Sequence, residues 1–276
     1  MSLSLVKGAI RPALPLSLLY EKPYTQVPFL INQSHITQVM TTFFEFLKLP
    51  EEIKNHIDFK ISPLHRRGDI GFKHRDPDND IYNDSKDFFH FHPLIFEKYK
   101  EFIPDNPLID QFLKLALPLW EATYNIVYEI ISIFEQDYPG TLSKVFATNE
   151  PHIILRFLKY NWGESGKHLA KPHFDSGSFT LAIAESGPGL RIGTNPNDLE
   201  IITHEANKAI FMASSNFRKI IDTDSLCPGW HDVIQLDEKK IGKSFSRWAI
   251  VAFIDGHNVE SLSRSETHKW YLPEHS

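Results

Sequence analysis

Apolar residues recur at helical spacing through most of the first half of the chain and alternate with period two after about residue 150. In SHITQVMTTFFEFLKLP, starting at Ser34, the positions Ile36, Val39, Met40, Phe43, Phe44 and Leu47 predict a helix with Ser34 as its N-cap. Pro50 then opens a short second helix, PEEIKNHI, whose first turn carries Glu51 and Glu52 where the helix dipole favours them. Residues 60–92 lose the pattern. They are polar and rich in turn residues and predict a long surface loop, with His65, His74, His90 and His92 as solvated loop residues. Helical spacing returns over 93–102 and again over 107–137, where Pro118 predicts a kink or break. The stripe Leu113, Leu117, Trp120, Tyr124, Val127, Ile131 and Phe134 predicts a face packed on the core.

The second half is a series of short β-like segments, HIILRFLKY, LRIG, LEIITH, KAIFMA, HDVIQL and SRWAIVAFID, separated by turn signals, as in a sandwich or barrel. Within it, residues 172–184 read as one strand, ended by Gly187-Pro188-Gly189. Period-two alternation then puts His173 and Asp175 on one face and Phe174 on the other. The last 20 residues are polar and predict a short helix and tail. The expected architecture is a single domain over 1–276: a helical part over 1–148, a β-barrel over 149–256 and a C-terminal tail over 257–276.

Composition narrows the partners. With 42% hydrophobic and 23% charged residues the chain is ordinary for a globular protein, and its net charge of −6 argues against nucleic acid or an anionic membrane as the main partner. The single cysteine, Cys227, excludes an intrachain disulfide and suits a reducing, cytoplasmic compartment. The N-terminal apolar stretch is interrupted by Arg11, Pro12 and Pro15, unlike a signal peptide, and no run is long enough for a membrane span.

The chemistry starts at His173 and Asp175. An imidazole and a carboxylate on one strand face supply two ligands of the facial triad that holds non-haem Fe(II) with positions left open. The third ligand must come from a distant histidine: His204, His231, His257 or His268. His231, at the start of the strand-like HDVIQL, is favoured, and His204 is its main rival. Arg247 opens SRWAIVAFI, where alternation puts Arg247, Ala249 and Val251 on one face. A guanidinium there is costly to bury unless paired, and its planar fork suits a carboxylate, whether a ligand's or that of a barrel-rim Asp or Glu. Tyr160, ending LRFLKY, offers a hydroxyl to the same anion.

These residues resemble the iron(II)- and 2-oxoglutarate-dependent dioxygenases of the isopenicillin-N-synthase-like group, which use a double-stranded β-helix (jelly-roll) fold. FFEFLKLPEEIKNHI resembles that group's Phe-Phe…Leu-Pro-x-Glu-x-Lys helix pair. RRGDIGF is similar to its Gly-Tyr loop, with Phe72 in place of the tyrosine, and SKDFFHF to its Lys-Glu-x-Phe segment. HFDSGSFTLAIAESGPGLRI is similar to its His-x-Asp-x-Gly core. The similarity spans roughly residues 34–255. It implies Fe(II) ligation by His173, Asp175 and His231, and 2-oxoglutarate held by Arg247 and Tyr160. It further implies oxidation, by hydroxylation first of all, of a small organic substrate with O2 to give succinate and CO2, with Phe72 on the substrate loop.

Three departures bear on the co-substrate. The family's Arg-x-Ser is Arg247-Trp248-Ala249, its Asn-x-Tyr is Leu158-Lys159-Tyr160, and the 16-residue step from His231 to Arg247 implies an inserted hairpin around 237–243. Two alternatives follow: an Fe(II) oxidase on the same fold without 2-oxoglutarate, or an inactive small-molecule-binding homologue. A zinc hydrolase lacks an evident general base and leaves Arg247 unexplained.

Overall fold

The structure, a computed structural model, describes residues 14–65, 68–75, 85–161, 166–240, 243 and 245–272. The extended segment expected over 1–33 and the hairpin expected around 237–243 therefore fall partly outside the described residues. Its helices are α1 (Gln33–Phe46), α2 (Glu51–Lys54), α3 (Leu94–Lys98), α4 (Pro107–Asp137), α5 (Thr141–Val145), α6 (Phe217–Ile220) and α7 (Arg264–Tyr271). None is long and apolar enough to cross a membrane.

The strands are β1 (Thr25–Pro28), β2 (Asp58–Lys60), β3 (Asp69–Arg75), β4 (Lys86–Phe91), β5 (Ile153–Tyr160), β6 (His168–His173), β7 (Phe179–Glu185), β8 (Leu190–Gly193), β9 (Glu200–Ile201), β10 (Lys208–Ala213), β11 (Trp230–Ile234) and β12 (Arg247–Ile254). They form two antiparallel sheets: eight strands in the order β1-β10-β7-β12-β5-β4-β3-β2, and four in the order β6-β11-β8-β9. This is the expected jelly-roll core with helices on the N-terminal side.

The long helices α1 and α4 form where the apolar period placed them, whereas the short α5 and α6 lie outside the expected helices. The N-cap of helix α1 lies two residues earlier than expected, at Asn32 and not Ser34: the Asn32 Oδ1 accepts from the Ser34 N–H at 2.9 Å. Helix α4 runs unbroken through Pro118. That proline is exposed, so the Lys114 carbonyl it leaves without an intrahelical donor faces water, while Phe112, Leu113, Ala116, Leu119 and Trp120 stay buried on the core side. One core cluster joins α1, α4 and the large sheet through the rings of Phe43, Phe46, Phe89, Phe112 and Phe157.

Residues 60–92 are not a solvated loop. Their described part forms β3 and β4, which extend the large sheet beyond β5. Ile70, Phe72, Phe89 and Phe91 alternate into the core, a short pattern masked in the sequence by the surrounding turn residues. Gly71 is required where β3 crosses β2: its φ is +114°, and a Cβ there would lie 1.8 Å from the Ile57 carbonyl oxygen. Only His74 is exposed as expected. His65, His90 and His92 are buried.

The buried histidines make stability pH-dependent. Burial pushes His92 and His152 down to about 4 from 6.5, while burial pushes Asp255 up to about 7 against the donors that surround it. The imidazoles stabilise the fold above pH 6.5 and lose that contribution as pH falls towards 4. The Asp255 contribution has the opposite sign, being full below about 3.8 and lost as pH rises through 7. Between pH 6.5 and 4 the two imidazoles outweigh the one carboxyl. Stability should fall by roughly 1.4 kcal/mol per pH unit on acidification, a slope of about one proton. Denaturant melts from pH 6.5 to 4.5 measure this, and His92→Gln should flatten the slope.

Candidate metal centre

His173 and Asp175 do not share a strand. Strand β6 ends at His173 in the small sheet, and β7 begins at Phe179 in the large one. The expected single strand 172–184 is replaced by a turn in which the chain switches sheets, and Asp175 lies in that turn, at the junction of the two layers. The turn is pinned by backbone bonds. Ser178 N–H donates to the Ile254 carbonyl at 2.9 Å, Asn216 N–H to Gly177 at 2.9 Å, and Ser215 N–H to Asp175 at 3.0 Å. Below it, Asp255 accepts from Ser178 Oγ at 2.5 Å and from Asn216 Nδ2 at 3.3 Å.

His231 arrives from the neighbouring strand. It is the direct cross-strand partner of His173 in the β11–β6 pair, so the two rings share a face, with centroids 4.5 Å apart. Each Nε2 lies 3.5 Å from an Asp175 oxygen: His173 from Oδ1 and His231 from Oδ2. Each Nδ1 is within hydrogen-bond reach of a backbone carbonyl, His173 of Lys171 at 2.7 Å and His231 of Gly229 at 2.9 Å. Those carbonyls accept, so the Nδ1 atoms carry the protons and the Nε2 lone pairs face Asp175. Thr180 Oγ donates to Asp175 Oδ2 at 2.8 Å and fixes the carboxylate rotamer. Among the described residues, this is the group of three ligand-type side chains whose donor atoms lie within 4.8 Å of one another.

The other histidines lie apart. His204 Nε2 donates to the Lys208 carbonyl at 2.7 Å, and its Nδ1 is 4.0 Å from Glu185. His257 sits beside His152, and His268 packs edge-on against Trp230.

The three residues line a cavity of about 420 Å³ between the sheets. Arg247, Ala249 and Val251 line it too, on the face that alternation predicted. Arg247 pairs across β12–β5 with Tyr160, and Tyr160 pairs across β5–β4 with Lys86, which gives a row of three polar side chains on the cavity wall. The guanidinium is buried, which pushes its pKa down. It donates from Nε to the Gly187 carbonyl at 3.0 Å and forms an ion pair with Glu185 of β7.

Phe72 is not brought to the cavity. It is 4% exposed, edge-on to Phe46 and under the Lys54 ammonium, because its position in β3 points it at the helices. Sequence reasoning passed over Arg156, Lys86 and Glu185, all of which line the cavity. Period-two alternation in HIILRFLKY puts Arg156, Leu158 and Tyr160 on one face, and that signal was available for Arg156.

No family model matches the sequence, and no curated protein matches it. Solved structures do match by fold. A protein of Shewanella oneidensis assigned as an oxygenase superposes with a TM-score of 0.64 at 18% identity, over 94% of this chain and 92% of that one. A full-length Neurospora crassa protein, in complex with alpha-KG and thymine, gives 0.64 at 16% identity, over 92% and 88%. The dioxygenase for auxin oxidation 1 of Arabidopsis thaliana, with 2-oxoglutarate, gives 0.58 at 15% identity, over 91% of each. The chain has the fold of the 2-oxoglutarate–Fe(II) oxygenases.

Proposed function

We propose that this protein is a non-haem Fe(II)- and 2-oxoglutarate-dependent oxygenase that oxidises a small organic molecule with O2. The observation that carries the reading is the convergence of His173, Asp175 and His231, with both imidazole protons committed to carbonyls and both Nε2 atoms turned to one carboxylate. Two neutral nitrogens and one carboxylate oxygen on one side of an ion suit Fe(II) and leave its other side open. When bound, the iron supplies O2 activation coupled to oxidative decarboxylation of 2-oxoglutarate, for a balance of R–H + O2 + 2-oxoglutarate → R–OH + succinate + CO2.

The chain's own residues hold and orient the reactants. Thr180 fixes Asp175, and the Lys171 and Gly229 carbonyls fix the imidazole tautomers. Arg247 and Tyr160 receive the distal carboxylate of the keto acid, with Lys86 beside Tyr160 adding positive charge. Apolar Leu158, Ala249, Val251 and Phe253 line the wall around them. One core shared by α1, α4 and the large sheet supports reading 1–276 as one dioxygenase domain. The lone Cys227, free and exposed, is compatible with a reducing cytoplasm.

The Arg247–Glu185 ion pair favours a second reading, an Fe(II) oxidase that needs no keto acid, because part of the fork is already engaged. Anaerobic titration of the Fe(II) protein with 2-oxoglutarate decides between them. A weak visible charge-transfer band that saturates with keto acid is expected. Its absence at millimolar 2-oxoglutarate would favour the oxidase. Glu185→Gln, which removes a like charge beside the incoming carboxylate, should lower the concentration needed for half-saturation by about tenfold.

A further inference from the structure

We propose that Arg156 is the anchor of a substrate-acid subsite, so that the molecule oxidised is an organic monocarboxylic acid with an apolar body. The inference rests on the oxygenase reading only for the word substrate; the subsite itself stands on the residues.

Arg156 projects from the middle of β5 into the same cavity as the His173–Asp175–His231 group, and it is 6% exposed. Its guanidinium is clamped between two rings, 4.5 Å from the centroid of Phe88 and 4.6 Å from that of Phe253. Its Nε donates to His90 Nε2 at 2.7 Å, and His90 Nδ1 in turn donates to the Asp69 carbonyl at 2.7 Å. That relay makes His90 a neutral acceptor for the guanidinium Nε and fixes the plane of the fork. A ligand meets a guanidinium held in this way through the edge of its terminal amino groups and not through its covered faces. That edge suits a carboxylate, which it takes in two parallel hydrogen bonds.

The electrostatics of the cavity point the same way. Among the described residues, six cations line it against two acids, in a chain whose net charge is −6. One of those acids is Asp175, and the other, Glu185, is paired with Arg247. Positive charge concentrated in a cleft of an acidic protein selects and steers small anions.

Arg156 is also separated from the keto-acid row. Along β5 it lies four residues from Tyr160, the partner of Arg247, or roughly 13 Å of strand. The wall between and beside them is apolar (Leu158, Ala249, Val251, Phe253), which suits a hydrocarbon or aromatic body attached to the acid group.

The test compares binding of matched acids and primary amides (phenylacetate, cinnamate and octanoate with their amides) to the full-length, metal-free protein by calorimetry. At least one acid should bind about tenfold or more tighter than its amide, and Arg156→Gln should erase that difference. Arg156→Lys, which keeps the charge but loses the fork, should recover only part of it. Equal binding of acid and amide, no binding of any acid, or an acid preference that survives Arg156→Gln would each overturn the proposal. So would loss of the 2-oxoglutarate charge-transfer band in Arg156→Gln, since that would make Arg156 a co-substrate residue. Should that variant fail to fold, the acid–amide comparison on the unaltered chain still decides. Because the binding arm needs neither iron nor keto acid, an acid preference without the band would sink the oxygenase reading alone, and the band without an acid preference would sink the subsite alone.

Discussion

His231→Ala is expected to abolish stoichiometric iron binding, and with it any O2-dependent turnover. The reason is geometric. Asp175 faces one imidazole through each of its oxygens, at 3.5 Å in both cases, and removing either ring leaves two ligands where three are needed to hold a ferrous ion against water. Losing a partner that merely supports a ligand weakens metal affinity by roughly 10–100-fold. Losing a ligand outright should cost about 100-fold or more, enough to empty the site after gel filtration. Iron content after anaerobic reconstitution and desalting measures it. His204→Ala is the matched control and should keep its iron, because His204 is tied to the Lys208 carbonyl and lies outside the group. Full iron in His231→Ala would remove the basis of the assigned chemistry.

Phe46→Ala is expected to be the most damaging single truncation of the core. The ring is fully buried, stacked on Phe112 at 5.5 Å and edge-on to Phe89 at 5.3 Å and Phe72 at 5.9 Å. It therefore ties α1 to α4 and to the outer strands β3 and β4 at one point. Deleting a buried phenylalanine costs about 3–5 kcal/mol, from lost transfer energy and from a cavity its rigid neighbours cannot fill. Against a total of about 5–15 kcal/mol for a folded protein, that is a large fraction. A fall in the melting midpoint of about 10 °C is expected by circular dichroism. A loss below about 1 kcal/mol would mean that α1 does not pack as described.

Much of this was legible in the amino-acid order because it depends on local periodicity. Helical spacing located α1 and α4 and their buried faces, and alternation in β12 set Arg247, Ala249 and Val251 on the cavity wall. The His-x-Asp pair was recognisable from its chemistry, although the reason it works differs from the one alternation suggested. The two residues meet because the chain changes sheets between them, not because they share a strand face.

Other features depend on which segments become neighbours, and no local pattern encodes that. Four histidines could have completed the site, and the β6–β11 register chose His231 by setting it opposite His173. The β3–β4 hairpin took residues assigned to solvent and buried them, because its alternation is short and lies among turn residues. The ion pair of Arg247 with Glu185, and the clamp on Arg156 made by Phe88 and Phe253 from two different strands, exist only once β4, β5, β7 and β12 lie side by side. The sequence by itself determined which residues of α1, α4 and β12 face inward and that a histidine–carboxylate pair was present. Tertiary structure decided which third ligand joins it and which cations share its cavity, since strand pairing joins positions tens of residues apart whose proximity only the folded sheet specifies.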